Sequence, residues 1–177
     1  IIVLVTTFLL TVIVDLTVAI EIGMVLAVFL FMRRMSEVTN VEVVKREFRE
    51  DDESSDPMAI EKKLIPDGVE VYEINGPFFF GATAKFQDAL RDSGTKPDIL
   101  IIRMRNVPAI DATGLHTLEQ VYHASKKQGT EVIFSGVHTQ PLVVFTQSGF
   151  FDRVGENNFY GNIDDALERA KEVIAVK

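Results

Sequence analysis

Residues 98–118, DILIIRMRNVPAIDATGLHTL, decide the fold class of this chain. The stretch opens with an apolar run at residues 99–102, passes through a loop that contains Pro108, and reaches Asp111-Ala-Thr-Gly114. Apolar residues then recur at helical spacing. This order predicts a buried strand that leads through a tight turn into the start of a helix.

The same alternation of strands and helices extends to both sides of this stretch. Residues 69–74 read as a strand that ends at Asn75-Gly76-Pro77, and residues 131–135 read as another. Predicted helices cover residues 82–90, 113–128, 141–148 and 163–174, with Gly129 and Gly149 at two of their ends, and Phe159 suits a short edge strand. The chain from residue 68 onward is therefore expected to be α/β, a mixed sheet of about four strands with helices.

Three consecutive phenylalanines, Phe78, Phe79 and Phe80, follow the first of these strands. A loop that dips into a membrane is one use for such a run, and burial of the rings in a core is the other. We expect the rings to lie in the core.

Composition divides the 177 residues into two unlike parts. Residues 1–32 carry only two charged side chains, Asp15 and Glu21, whereas the rest carries nearly all of the charge. The formal net charge of −8 argues against a nucleic-acid partner, because binding to phosphates needs a basic face. The absence of cysteine excludes disulfides and thiolate metal sites from this sequence.

The first part suits a lipid environment. Residues 1–14 are uncharged and residues 22–32 form a second apolar run, and each is shorter than the roughly 20 residues that one span needs. Two short helices that meet near Asp15, or one kinked helix, would fit residues 1–34, and Arg33-Arg34 would mark the cytoplasmic end. A buried helix pair in a soluble protein is the alternative. Because no Met opens the chain, we expect a C-terminal fragment of a longer protein.

Residues 35–67 have the composition of a linker. Val41, Val44 and Phe48 recur at helical spacing and predict a continuing helix over residues 38–48. Acidic residues then cluster with Ser54, Ser55 and Pro57, which favours a solvated joint over a metal site.

The chemistry of the opening stretch centres on a helix start. Asp111 is expected to accept hydrogen bonds from the backbone N–H groups of Thr113 and Gly114. Thr113 would present its hydroxyl where free N–H groups and the helix dipole favour a phosphate, although simple capping explains the motif as well. His116, His123 and His138 suggest neither a metal site nor a catalytic triad, so we expect no enzyme, no catalytic residue, no cofactor and no metal.

These segments together resemble a STAS domain, the module of anti-sigma-factor antagonists and of the cytoplasmic tails of SulP (SLC26-type) anion transporters. The strand ILIIRM, the loop NVPAIDATGL and the strand EVIFSGV match the domain, and GPFFFGAT and the apolar block of residues 8–39 resemble the transporter branch. The resemblance implies residues 1–34 as transmembrane, residues 35–67 as linker helix and acidic linker, and residues 68–177 as the STAS domain.

For function, the resemblance implies the C-terminal part of a secondary active transporter of sulfate, bicarbonate or dicarboxylates, with its STAS domain in the cytoplasm beneath the inner membrane. The domain would serve assembly or regulation, with the missing membrane domain, a second copy in a homodimer and a cytoplasmic regulatory protein as partners. The alternative is a membrane-tethered regulator that is switched by phosphorylation at Thr113, which stands where the antagonists carry a phosphorylated serine. Asp15 and Glu21 are expected at the break between the two short segments. They are candidate acids for proton or sodium coupling, because carboxylates inside a membrane are usually functional, although a location at the membrane interface explains them as well.

Overall fold

The fold is seen in a computed structural model that describes residues 1–38, 40–44, 65–94 and 96–176. The chain divides into two compact units, Ile1–Val38 and Thr39–Lys177. The acidic cluster at residues 50–56 lies outside the described residues, so its expected role as a joint stays a prediction. The domain boundary expected near residue 67 also stays a prediction.

The first unit is a pair of apolar helices, α1 (Ile2–Ile13) and α2 (Leu16–Val38). They are separated at Val14 and Asp15, so the structure has two helices rather than one continuous span. The part of α2 from Leu16 to Arg34, 19 residues, is long and apolar enough to cross a membrane, whereas α1 is shorter. The second helix is therefore longer than the apolar run at residues 22–32 suggested, because it also includes Glu21 and the residues before it.

Close packing joins the two helices through small side chains. Ala19 is buried, and a Cβ placed on Gly23 would lie 2.2 Å from Cγ2 of Thr7 on α1. Small residues at such a crossing let two helix backbones approach, as is common between helices in membranes. Most of the large apolar side chains of both helices remain exposed.

The second unit is built on a sheet whose strands are arranged in chain order. The strands are β1 (Asn40–Val44), β2 (Val69–Asn75), β3 (Ile99–Asn106), β4 (Glu131–Ser135) and β5 (Phe159–Tyr160). Strand β1 pairs antiparallel with β2, and β2 to β5 are parallel to one another. The expected mixed α/β sheet is confirmed, with β1 as an additional edge strand.

Strand β1 corrects the predicted linker helix. The residues at 40–44 form a strand whose Val43 is opposite Tyr72 in β2, and α2 ends at Val38. Valine is β-branched and favours strands, and pairing with β2 decides between helix and strand here. The rest of the predicted helix, residues 45–48, lies outside the described part of the chain.

Helices cover both faces of the sheet. On one face lie α3 (Phe80–Ser93), α4 (Ala112–Gln128), α5 (Thr139–Gln147) and α6 (Phe150–Val154), which share a core with Tyr72, Ile102 and Phe134. On the other face α7 (Ile163–Val176) packs Ala166 and Leu167 against residues such as Ile101. Parallel neighbours need crossover connections. Helix α3 lies between β2 and β3, α4 between β3 and β4, and α5 and α6 between β4 and β5.

A buried ion pair connects the two central strands. Arg103 is only 3% exposed, and its guanidinium Nη1 lies 2.9 Å from Oε2 of Glu73, the residue opposite it on β2. Asn106 also donates to the Glu73 carboxylate, at 3.4 Å. A buried arginine is tolerated because its carboxylate partner compensates for the lost hydration.

Candidate functional site

The Asp111–Gly114 turn lies at the carboxyl ends of the parallel strands, where α3, α4 and α5 begin. Asp111 precedes α4 in an extended conformation, which is the backbone geometry of an N-cap residue. One carboxylate oxygen, Oδ1, accepts a hydrogen bond from the N–H of Gly114 at 2.7 Å. The predicted cap is therefore present at Gly114.

The second carboxylate oxygen of Asp111 has a different partner from the one expected. Oδ2 accepts a hydrogen bond from the backbone N–H of Phe80, the first residue of α3, at 3.3 Å. The prediction that the N–H of Thr113 makes the second bond is wrong, because the two bonds go to different helices. A single carboxylate thus caps two helix starts.

Gly114 is required by close packing rather than by its backbone angles. A Cβ on this residue would lie 2.2 Å from the carbonyl oxygen of Phe78 and 2.8 Å from Cγ1 of Ile110. Phe78 and Ile110 form an isolated parallel bridge, and the Phe78 N–H donates to the Ala109 carbonyl at 2.9 Å. The glycine therefore lets the segment before α3 lie directly on the start of α4.

The three phenylalanines before α3 are not all in the core. Phe78 is fully buried and meets Phe86 edge to face, whereas the Phe80 side chain is 60% exposed. The expectation of core burial is therefore right for Phe78 and wrong for Phe80. Phe80 and two residues of α5, Leu142 and Val143, are the large apolar side chains that stay exposed in the described part of the second unit.

Gln140 holds the same turn from the side of α5, a role that the sequence did not predict. Its amide nitrogen donates to the Ile110 carbonyl at 3.2 Å, and its amide oxygen accepts from the Ile110 N–H at 2.9 Å. The partners are 30 positions apart, and no local pattern signals such a pair. His138, at the start of α5, contacts the Arg105 carbonyl in a similar way.

Thr113 is exposed in the first turn of α4. Its own carbonyl accepts the hydroxyl of Thr117 at 3.0 Å, so the helix continues normally behind it. A group attached to the Thr113 hydroxyl would reach solvent without repacking the core. The carboxylate of Asp111 already occupies the Gly114 N–H, so it would compete with a phosphate for that donor.

The two acids of residues 1–32 lie in different environments. Asp15 precedes α2, and its Oδ1 accepts from the Thr17 N–H at 3.2 Å, which is local capping. Glu21 lies within α2 and is exposed, so the expectation that both acids sit at the break between the helices was wrong for Glu21.

Other titratable groups do not gather into a reaction centre in the described ranges. Among those residues no group of three or more histidine, aspartate and glutamate side chains could hold a metal ion. His116 contacts Gln120 on its own helix, and Arg153 bridges to Glu119. Burial raises the pKa of Tyr72 to about 12, and its hydroxyl donates to Glu70 at 3.0 Å.

The geometry described above, a mixed sheet with a capped Asp-x-Thr-Gly turn, is that of a STAS domain, and the STAS domain family model matches residues 62–166. The chain belongs to the STAS domain family, in the branch carried by SulP (SLC26-type) transporters. A crystal structure of a sulfate transporter family protein from Wolinella succinogenes is 42% identical, with a TM-score of 0.64, over 68% of this chain and 98% of that one.

Two curated relatives extend the likeness into the apolar unit. "Putative sulfate transporter YvdB" of Bacillus subtilis is 29% identical over 160 residues, which are 90% of this chain and 28% of the relative. "Bicarbonate transporter BicA" of Synechocystis is 29% identical over 167 residues, 91% of this chain and 28% of the relative. The chain therefore spans little more than a quarter of the length of the curated relatives that it matches.

Proposed function

We propose that this chain is the C-terminal part of a secondary active anion transporter, with its STAS domain in the cytoplasm. The observation that carries the proposal is the joining of an apolar helix of membrane-spanning length, Leu16–Arg34, to a STAS domain in one chain. By the positive-inside rule, Arg33 and Arg34 at the end of that helix support a cytoplasmic location for that end. The similarity to YvdB, named a putative sulfate transporter, and to BicA, named a bicarbonate transporter, supports anion transport.

The substrate is proposed only as a class, an inorganic or organic anion such as sulfate, bicarbonate or a dicarboxylate. One relative is named for sulfate and another for bicarbonate. Residues that would select among them are expected in membrane segments outside this chain. The exposed Thr113 is proposed as part of a contact surface of the domain, with Asp111 and Gly114 holding the turn beneath it, and none of the three is proposed as a ligand for the transported anion.

Uptake by the full-length protein tests the transport function. The protein is reconstituted into vesicles, and uptake of labelled sulfate, bicarbonate and succinate is compared with that of protein-free vesicles. Saturable uptake of at least one of these anions supports the proposal. Uptake no faster than in protein-free vesicles for all three would overturn it.

A regulatory role of the STAS domain is the second part of the proposal. Phe80, Leu142 and Val143 are exposed on the helices that begin beside the Asp111–Gly114 turn, and contact with a second copy or with a cytoplasmic protein would cover them. Full-length protein with Phe80→Ser should still elute from gel filtration as a folded protein, but it should lose part of its self-association or part of the regulation of its uptake. Unchanged self-association and unchanged uptake would contradict the regulatory part of the proposal.

Phosphorylation at Thr113 is the alternative function, because the hydroxyl is exposed at a helix start that favours negative charge. Labelled phosphate from a cell extract should then enter the protein and be lost in Thr113→Ala. Thr139→Ala is the matched control, because Thr139 is an exposed threonine in the first turn of α5. Equal labelling of both variants would exclude Thr113 as the site.

A further inference from the structure

The Glu21 side chain on α2 does not take part in the packing of its own unit. It is exposed, and no hydrogen bond or ion pair of its carboxylate occurs within the described residues. Asp15, the other acid of the apolar residues 1–32, is accounted for by the Thr17 N–H that it caps. Glu21 is therefore the acidic side chain of residues 1–32 whose charge the helix pair itself does not explain.

The position of Glu21 along α2 puts it inside the apolar span. It is five residues after Leu16, which corresponds to about 7.5 Å along the helix axis, within a span of 19 residues. The arginine pair at the other end starts twelve residues later, about 18 Å away, too far for an ion pair. No basic side chain occurs in residues 1–32, so none of these residues can neutralise Glu21.

The direction of Glu21 excludes α1 as its partner. The face of α2 that packs on α1 contains Ala19 and Gly23, where Thr7 comes close. At about 100° per residue, Glu21 lies roughly 160–200° around the helix from both of them. It therefore points away from α1, on a face that it shares with Met24, Val25 and Val28, all exposed.

A carboxylate on a membrane-spanning helix does not face lipid, because its charge needs a partner or water. The curated relatives are more than three times as long as the matched region, so most of the membrane domain lies outside this chain. We propose that the Glu21 face of α2 packs against another membrane helix of the same protein, and that an arginine or lysine of that helix forms an ion pair with Glu21. This inference rests on the proposed function, since it takes α2 to cross the membrane.

The test uses the full-length protein in detergent, with the midpoint of thermal unfolding followed by gel filtration. Glu21→Ala and Glu21→Gln should both lower the midpoint by several degrees, because each leaves a buried cation unpaired. Asp15→Asn is the matched control, and it should change the midpoint little because an asparagine still caps α2. A Glu21→Gln protein with a wild-type midpoint would overturn the ion pair, since a neutral amide would then suffice.

Rescue identifies the partner and keeps the test informative when the single variant does not fold. In the Glu21→Ala background, each lysine and arginine of the preceding apolar segments is replaced by methionine, one at a time. One replacement should restore the folded peak and the midpoint, because it removes the unpaired charge. No restoration at any position would overturn the proposal. Wild-type uptake is measured separately, so loss of the transport function would be recognised independently of the result on Glu21.

Discussion

Asp111 ties the start of α3 to the start of α4, because its Oδ2 accepts from the Phe80 N–H at 3.3 Å while its Oδ1 accepts from the Gly114 N–H at 2.7 Å. The two partners belong to crossover helices on the same face of the sheet. A capping residue normally satisfies donors of one helix only. Asp111 is therefore a structural connection within the domain, in addition to any contact that the turn makes with a partner.

Replacing Asp111 by alanine should destabilise the second unit by about 1–3 kcal/mol, since two N–H groups lose their acceptor. Asn162→Ala is the matched control: the Asn162 side chain accepts from the Asp165 N–H at 2.9 Å and caps α7 alone. Its loss should cost about 1 kcal/mol. Urea unfolding of the Thr39–Lys177 unit measures both. Equal losses in the two variants would contradict the double cap.

Local contacts were predictable from the sequence, and contacts between distant segments were not. The hydrogen bond from the Gly114 N–H to Asp111 joins residues that are three positions apart. The apolar residues of α7 repeat at helical spacing from one turn to the next. Both features therefore follow from local patterns. The Phe80 bond spans 31 positions and depends on how two crossovers meet. The same reason explains why the sequence favoured a helix for Val41 and its neighbours: pairing with β2 is invisible in their spacing.

The exposed position of Glu21 within α2 could not be predicted from the sequence either, for a different reason. The apolar runs on both sides of it suggested a break at both acids, because a charge inside a helix of membrane-spanning length is costly. The structure continues α2 through Glu21, so the break occurs at Asp15 alone. Helical geometry, and not composition, then distinguishes the environments of the two acids: Asp15 caps α2, whereas Glu21 is exposed within it.

Gly114→Ala should destabilise the second unit by about 2–4 kcal/mol, because the new methyl group would overlap the Phe78 carbonyl, a backbone atom that cannot rotate away. Gly161→Ala is the matched control, since nothing lies within 4 Å of a Cβ there. That variant should be neutral or slightly stabilising. Urea midpoints and slopes of both proteins give the comparison. A Gly114→Ala protein as stable as Gly161→Ala would show that the segment before α3 moves freely.

Arg103→Met should cost about 3–5 kcal/mol, because it leaves the Glu73 carboxylate in a largely buried place without its cation. Replacing both residues, Arg103→Met with Glu73→Leu, should recover part of that loss, since no charge then remains unpaired. Arg169→Met tests an outer pair with Glu172, whose side chain is 68% exposed, and should cost no more than about 1 kcal/mol. The free energy of unfolding of the parent, Arg103→Met, the double variant and Arg169→Met, measured by chemical denaturation, checks this order of stability. A double variant less stable than Arg103→Met would contradict this explanation of the ion pair.

The stability of the second unit should fall in alkali because of Tyr72. Its pKa is raised to about 12, first by burial and also by the nearby Glu70 carboxylate, against about 10 in an unfolded chain. A raised pKa in the folded state means that the neutral phenol stabilises the fold fully below pH 10, and that this contribution is lost as the pH rises through 12. The loss is on the order of 2 kcal/mol.

Tyr72→Phe separates this effect from general alkaline unfolding. The variant loses the hydrogen bond to Glu70, worth about 1 kcal/mol at neutral pH, but it has no phenol to ionise in the core. Its unfolding free energy should therefore fall less steeply between pH 10 and 12 than that of the parent. Tyr160→Phe, which removes a partly exposed phenol, should keep the parent's slope over that range because Tyr72 remains intact. Parallel slopes for Tyr72→Phe and the parent would show that the buried phenol does not ionise on unfolding, and the alkaline sensitivity would then have to come from other groups.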